Sequence, residues 1–146
     1  MGDVEAPNLG DYSSVPAGTW GTVSFARASV TIPSGESVGN TVDFIRLPRG
    51  VRPIDAILET GGDGNTTNDG DIDLGLKGVD GTSQDNLTAF LNDASIDGSA
   101  RKRADQVLGF PRLADEHYVR GTLRGTAPDS DVTVDVIVVY QYEGIE

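Results

Sequence analysis

The chain has 146 residues, a mass of 15.3 kDa, no cysteine and a formal net charge of −12, with a pI near 4.2. That length reads as one domain able to bury roughly 68–70% of its unfolded surface, and the missing cysteine excludes disulfides, zinc fingers and thiol chemistry. The acidic balance excludes nucleic acid as a partner, because phosphate binding needs clustered lysine and arginine.

No apolar run approaches the ~18 residues that a membrane helix requires, so no membrane partner is expected. The opening MGDVEAPNLG has neither the basic nor the apolar region of a signal peptide. The expectation is a protein that stays inside the cell or leaves it without Sec export. Nineteen glycines and seven prolines are spread evenly, which marks many turns and no disordered tract.

Residues 1–18 are polar and lack either periodicity. They are expected to be a frayed terminus or an N-terminal arm that orders against a neighbouring subunit, with Leu9 and Tyr12 as anchors. A single domain is expected over residues 19–146. Trp20 to Phe25 and Ala28 to Ile32 predict a first strand or strand pair, with Gly21, Val23 and Phe25 on one face. Pro33-Ser34-Gly35 closes it as a turn.

The segment Thr41 to Gly62 is the organising stretch. Two apolar runs flank a break from Leu47 to Pro53 whose Pro48, Gly50 and Pro53 cannot continue a ladder. In the second run Ile54, Ala56 and Leu58 are predicted on one side, with Asp55, Ile57 and Glu59 on the other. Beyond the polar loop GGDGNTTNDG, Asp71 to Gly78 resumes alternation with Ile72, Leu74 and Leu76 inward. Leu87, Phe90 and Leu91 stand at i, i+3 and i+4 behind a polar cap, which predicts one short helix, with a buried strand as the competing assignment. Residues 92–116 read as a long excursion that holds the only basic run, Arg101-Lys102-Arg103.

The last strands are the clearest. Tyr118 to Arg124 and Val132 to Tyr142 flank a turn, and Val132, Val134, Val136, Val138, Tyr140 and Tyr142 share a face. Ile137 and Val139 on the opposite face indicate that this side is covered too, as in a central strand facing a neighbouring subunit. Seven or eight strands predict an all-β chain, an antiparallel β-sandwich of jelly-roll-like topology with one short helix.

Catalytic signatures are absent: there is no nucleophile elbow, no HExxH and no P-loop. The one histidine, His117, reads as a surface residue at a strand start. The oxygens of Asp63, Asn65, Asp69, Asp71 and Asp73 raise a calcium site, but their spacing is not that of an EF-hand. No cofactor and no metal are therefore expected. Arg46, Arg49 and Arg52 around the proline-bearing turn, with Arg101, Lys102 and Arg103, are the candidate contacts for an acidic partner.

The stretch from Phe44 to Leu58, a strand ending in Leu47-Pro48-Arg49-Gly50 and leading into Val51-Arg52-Pro53-Ile54, resembles small virion proteins of tailed phages. The segments Asp71 to Leu76 and Leu87 to Leu91, and the valine-rich final strand, keep the order of that pattern over roughly Thr22 to Glu143. The chain is thus similar to the capsid decoration or cement family of tailed bacteriophages and archaeal tailed viruses. The resemblance implies a β-sandwich, commonly a homotrimer, without catalytic residues. It also implies a non-enzymatic role on the capsid exterior, bound to the major capsid protein and stabilising the head against packaged DNA. The alternative from residue chemistry is a carbohydrate-binding or calcium-binding β-sandwich module. Its stacking platform would be Trp20, Tyr118, Tyr140 and Tyr142.

Overall fold

Alternating apolar residues dominate the chain, and the computed structural model turns each such run into a strand. It describes residues 23–61, 70–81, 84–96, 100–106 and 112–143. Eight strands follow in order: β1 Val23–Ile32, β2 Thr41–Leu47, β3 Val51–Gly61, β4 Gly70–Gly78, β5 Asn86–Ser95, β6 Ala100–Arg103, β7 His117–Gly125 and β8 Val132–Tyr142. They form two four-stranded sheets, β1-β8-β3-β6 and β2-β7-β4-β5, in which every paired neighbour is antiparallel. The expected antiparallel sandwich is therefore present. Its winding nests β1 with β8, β2 with β7, β3 with β6 and β4 with β5, like one long hairpin rolled up on itself.

The valine face of β8 anchors the core. Val132, Val134, Val136 and Val138 are fully buried between the sheets, and β8 lies centrally between β1 and β3, as its two-sided apolar character predicts. Across the sandwich they meet the layer that carries Phe44, Leu74, Leu76, Val119 and Leu123, all buried in the same cluster. Stacked inner faces of this kind supply most of the stabilisation of a small β domain.

Three expectations are corrected, and one left open is settled. The short helix over Leu87 to Leu91 is strand β5, paired with β4 from Asp71↔Ser95 to Leu76↔Asn86. Asn86 Oδ1 does accept the amide of Thr88, at 3.1 Å, so the local capping signal is real. The unpaired flank of β4 nonetheless outcompetes a helix of barely one turn, which is marginal on its own. The long excursion over 92–116 contains the end of β5 and the short strand β6. Ile54 is exposed, not inward with Ala56 and Leu58, because a bulge between Pro53 and Asp55 inserts one residue and resets the phase of β3. The first strand is one continuous element from Val23, with no break at Arg27.

Candidate functional site

Eight ion pairs among the described residues tie charged side chains of the strands to carboxylates of neighbouring strands and connections. On the outward side of β1-β8-β3-β6, Arg27 meets Asp135 at 2.8 Å, Arg103 meets Asp55 at 2.6 Å and Arg101 meets Glu59 at 3.3 Å. Arg52 holds Glu143 through Nε and Nη2 at one end of this sheet. The second sheet carries Arg46–Glu116, Lys77–Asp85 at 2.7 Å, Arg120–Asp43 at 2.7 Å and Arg124–Asp73 at 3.0 Å. Exposed pairs contribute little to stability, so their main consequence is local neutrality. The paired charges on both sheet faces cancel, and the excess of twelve negative charges lies outside these pairs. Glu36, Asp80, Asp105, Asp115, Asp129 and Asp131 show where part of it sits, in the turns and connections between strands.

The two faces differ in apolar content. Outward residues of the second sheet are polar, among them Asp43, Arg46, Lys77, Tyr118 and Arg120. On the first sheet, register places Phe25 beside Val139 and Ile137 beside Ile57, all four pointing away from the core. Phe25 is 71% exposed, and the other three are half-buried. Ile137 and Val139 were visible in the sequence as a second apolar face. Phe25 and Ile57 joined them only once strand order was known.

At one end of the sandwich an open cleft of about 340 Å³ is lined by Arg49, Asp80, Gly81, Asp115 and Glu116. Its arginine is aimed by the β2–β3 turn, where Gly50 takes φ 89°, a conformation that favours glycine. The amide of Gly50 donates to Leu113 O at 2.8 Å, and that of Leu113 to Val51 O at 2.8 Å, so the turn is tied to the segment that precedes β7. No cluster of metal-ligating side chains occurs among the described residues.

Leu9 and Tyr12 lie outside the described residues, as do most of the polar loop proposed for calcium and Trp20. Asp73 from that calcium set is buried and accepts instead from Arg124 and from the amide of Asp93 at 2.8 Å. Arg49 projects at the end cleft, whereas Arg101, Lys102 and Arg103 form the exposed edge strand β6, which pairs with the far half of β3. The two basic groups are therefore not brought together. Arg52, Arg101 and Arg103 are engaged by carboxylates of their own chain. His117 is not at the surface: it is fully buried, and its Nδ1 donates to Asp115 O at 2.8 Å. The phase of β7 turns it inward with Val119 and Leu123. Nor do the tyrosines form one platform, since Tyr118 belongs to one sheet and Tyr140 and Tyr142 to the other.

The acid groups in these pairs set an expected pH response. Hydrogen bonds from Ser29 and then Arg27 hold the Asp135 carboxyl below the usual range, and Arg52 does the same for Glu143. Burial pushes Asp85 up, but Lys77 and the amide of Gly78 outweigh it and leave its carboxyl lowered. A depressed folded-state value adds stability above the unfolded value, about 4, and loses it as pH falls through the folded one. The melting temperature should thus stay level from neutral pH to about 5 and decline below about 4. A decline that begins above pH 6 would contradict this account.

No family model matches the sequence, and no curated protein does. Known structures do match the fold. A chain of the "Cyanophage Pam1 capsid asymmetric unit" superposes with a TM-score of 0.65 at 20% identity, over 97% of this chain and 94% of that one. The "Capsid of Ralstonia phage GP4" gives 0.65 at 18% identity, covering 90% of each chain. The "Acidic stable capsid structure of Helicobacter pylori bacteriophage KHP30" gives 0.54 at 17%, over 82% of this chain and 89% of that one. This eight-stranded sandwich is thus a fold found among the chains of phage capsids.

Proposed function

We propose that this chain is a virion structural protein of a tailed phage, a decoration or cement protein that binds the major capsid protein on the head exterior as a homotrimer. The observation that carries the reading is the near full-length likeness of its fold to chains of three phage capsids. Its nested strand order is the jelly-roll winding, an architecture that recurs in viral capsid proteins. The stapleless core, the balanced sheet faces and the acidic ends suit a protein that stays soluble until it docks on a larger lattice. In this role it turns over no substrate.

The test is co-sedimentation of the purified chain with empty shells of the virus that encodes it, followed by thermal disruption of the decorated shells. Saturable binding and a higher disruption temperature are expected. Absence of binding at tens of micromolar chain would end the decoration reading.

A further inference from the structure

We infer that the outward face of the β1-β8-β3-β6 sheet is the surface on which a second copy of this chain packs. This deepens the homo-oligomer part of the preceding proposal and rests on it. The face has the anatomy of a protein–protein interface, an apolar centre with a charged rim. Its centre is the stripe of Phe25, Val139, Ile137 and Ile57, which runs diagonally over three adjacent strands. Its rim is the set of four arginine–carboxylate pairs already described, each closed within the chain.

Charge identifies the occupant. Two copies carry −12 each and repel wherever their acidic turns and connections meet. On a sheet face the charges are already matched one to one, so a like-charged copy can approach without facing uncompensated carboxylates. A basic partner would be drawn instead to the acidic turns and the end cleft. Of the two balanced faces, only this one also offers apolar area to bury. Phe25 is the natural anchor: it is aromatic and 71% exposed, and it stands beside Val139 in the ladder.

The experiment is light scattering and sedimentation of the full chain across concentration, at low and at high salt, with Phe25→Glu and Val38→Glu. Val38 is 45% exposed in the β1–β2 connection, off the face, and its variant adds the same charge. The native chain and Val38→Glu should show a multiple of 15.3 kDa, more fully assembled at high salt because screening relieves like-charge repulsion. Phe25→Glu should raise the dissociation concentration by about 100-fold, the size expected for an interface anchor. Far-ultraviolet circular dichroism of Phe25→Glu should match the native chain, since the side chain lies outside the core, and its melting temperature should equal that of the native chain diluted below its dissociation concentration. A native chain that is monomeric at every concentration, or a Phe25→Glu chain assembled like the native one, overturns the inference.

Shell binding measured on the same samples keeps the two proposals apart. An assembled, Phe25-dependent chain that ignores shells upholds this inference and ends the capsid reading. A monomer that binds shells ends this inference and the homotrimer with it, and upholds the capsid-binding role.

Discussion

Replacing Gly75 by alanine is expected to lower the melting temperature by about 10 °C or more, through a loss of about 3 kcal/mol or more. Gly75 sits in β4 facing away from the core, where the alternation of Asp71 to Lys77 leaves room for any side chain. The opening of β5 removes that room. A Cβ at Gly75 would lie 2.2 Å from Asn86 O and 2.2 Å from the carbonyl carbon of Leu87, both backbone atoms. Backbone cannot rotate aside as a side chain can, so β5 would have to lift from β4. Gly121 is the internal comparison. There a Cβ would meet Ile72 Cδ1 at 2.7 Å and Phe44 Cε2 at 2.8 Å, the far ends of two side chains. Gly121→Ala should cost about 1 kcal/mol, the lower end for an overpacked core. Thermal unfolding of the two variants checks the pair. Equal melting temperatures would show that β5 does not cross over Gly75.

Phe90→Ala should cost about 3–5 kcal/mol, the usual range for removing a fully buried aromatic ring. Phe90 is completely buried, as are its neighbours Ala89 and Leu91 within a few per cent. Its carbonyl accepts the amides of Asp105 at 3.1 Å and Gln106 at 3.4 Å, tying β5 to the segment after β6. Those backbone bonds survive the substitution, so the measured loss reports the ring. The comparison with Leu87→Ala separates strand from helix. A helix would bury Leu87 on the same stripe as Phe90 and Leu91, whereas in β5 Leu87 is only half-buried. Leu87→Ala is therefore expected to cost only about 1 kcal/mol. Similar large losses at both positions, read by urea unfolding, would favour the helix.

These two residues mark where local reading fails. Ala89, Phe90 and Leu91 are buried in succession in one core, and the register of β5 against β4 shifts between Leu74 and Leu76, so neither period survives in its sequence. The glycine at position 75 reads as one more punctuation mark until β5 crosses it. His117 was misplaced for a related reason: its environment depends on the phase of β7 and on the carbonyl of Asp115. The candidate surface was half legible. Ile137 and Val139 announced a second apolar face of β8, but their neighbours come from strands about 80 and 110 residues away by the observed register. Of the candidate contact arginines, Arg52, Arg101 and Arg103 read as uncompensated charges in the sequence, and only pairing revealed their carboxylates.

What the sequence by itself determined was the material of the fold: strand chemistry, turn positions, a valine-faced central strand, and the composition that excludes membrane helices and thiol chemistry. Those properties are local, because the alternation of a strand and the dihedral limits of proline and glycine act within a few residues. The tertiary structure alone decided which strands neighbour each other, where β3 bulges, that β5 is a strand, and which charges cancel. Each of these is a competition between distant segments for one set of backbone partners and one shared core. Its outcome depends on register across the whole sandwich.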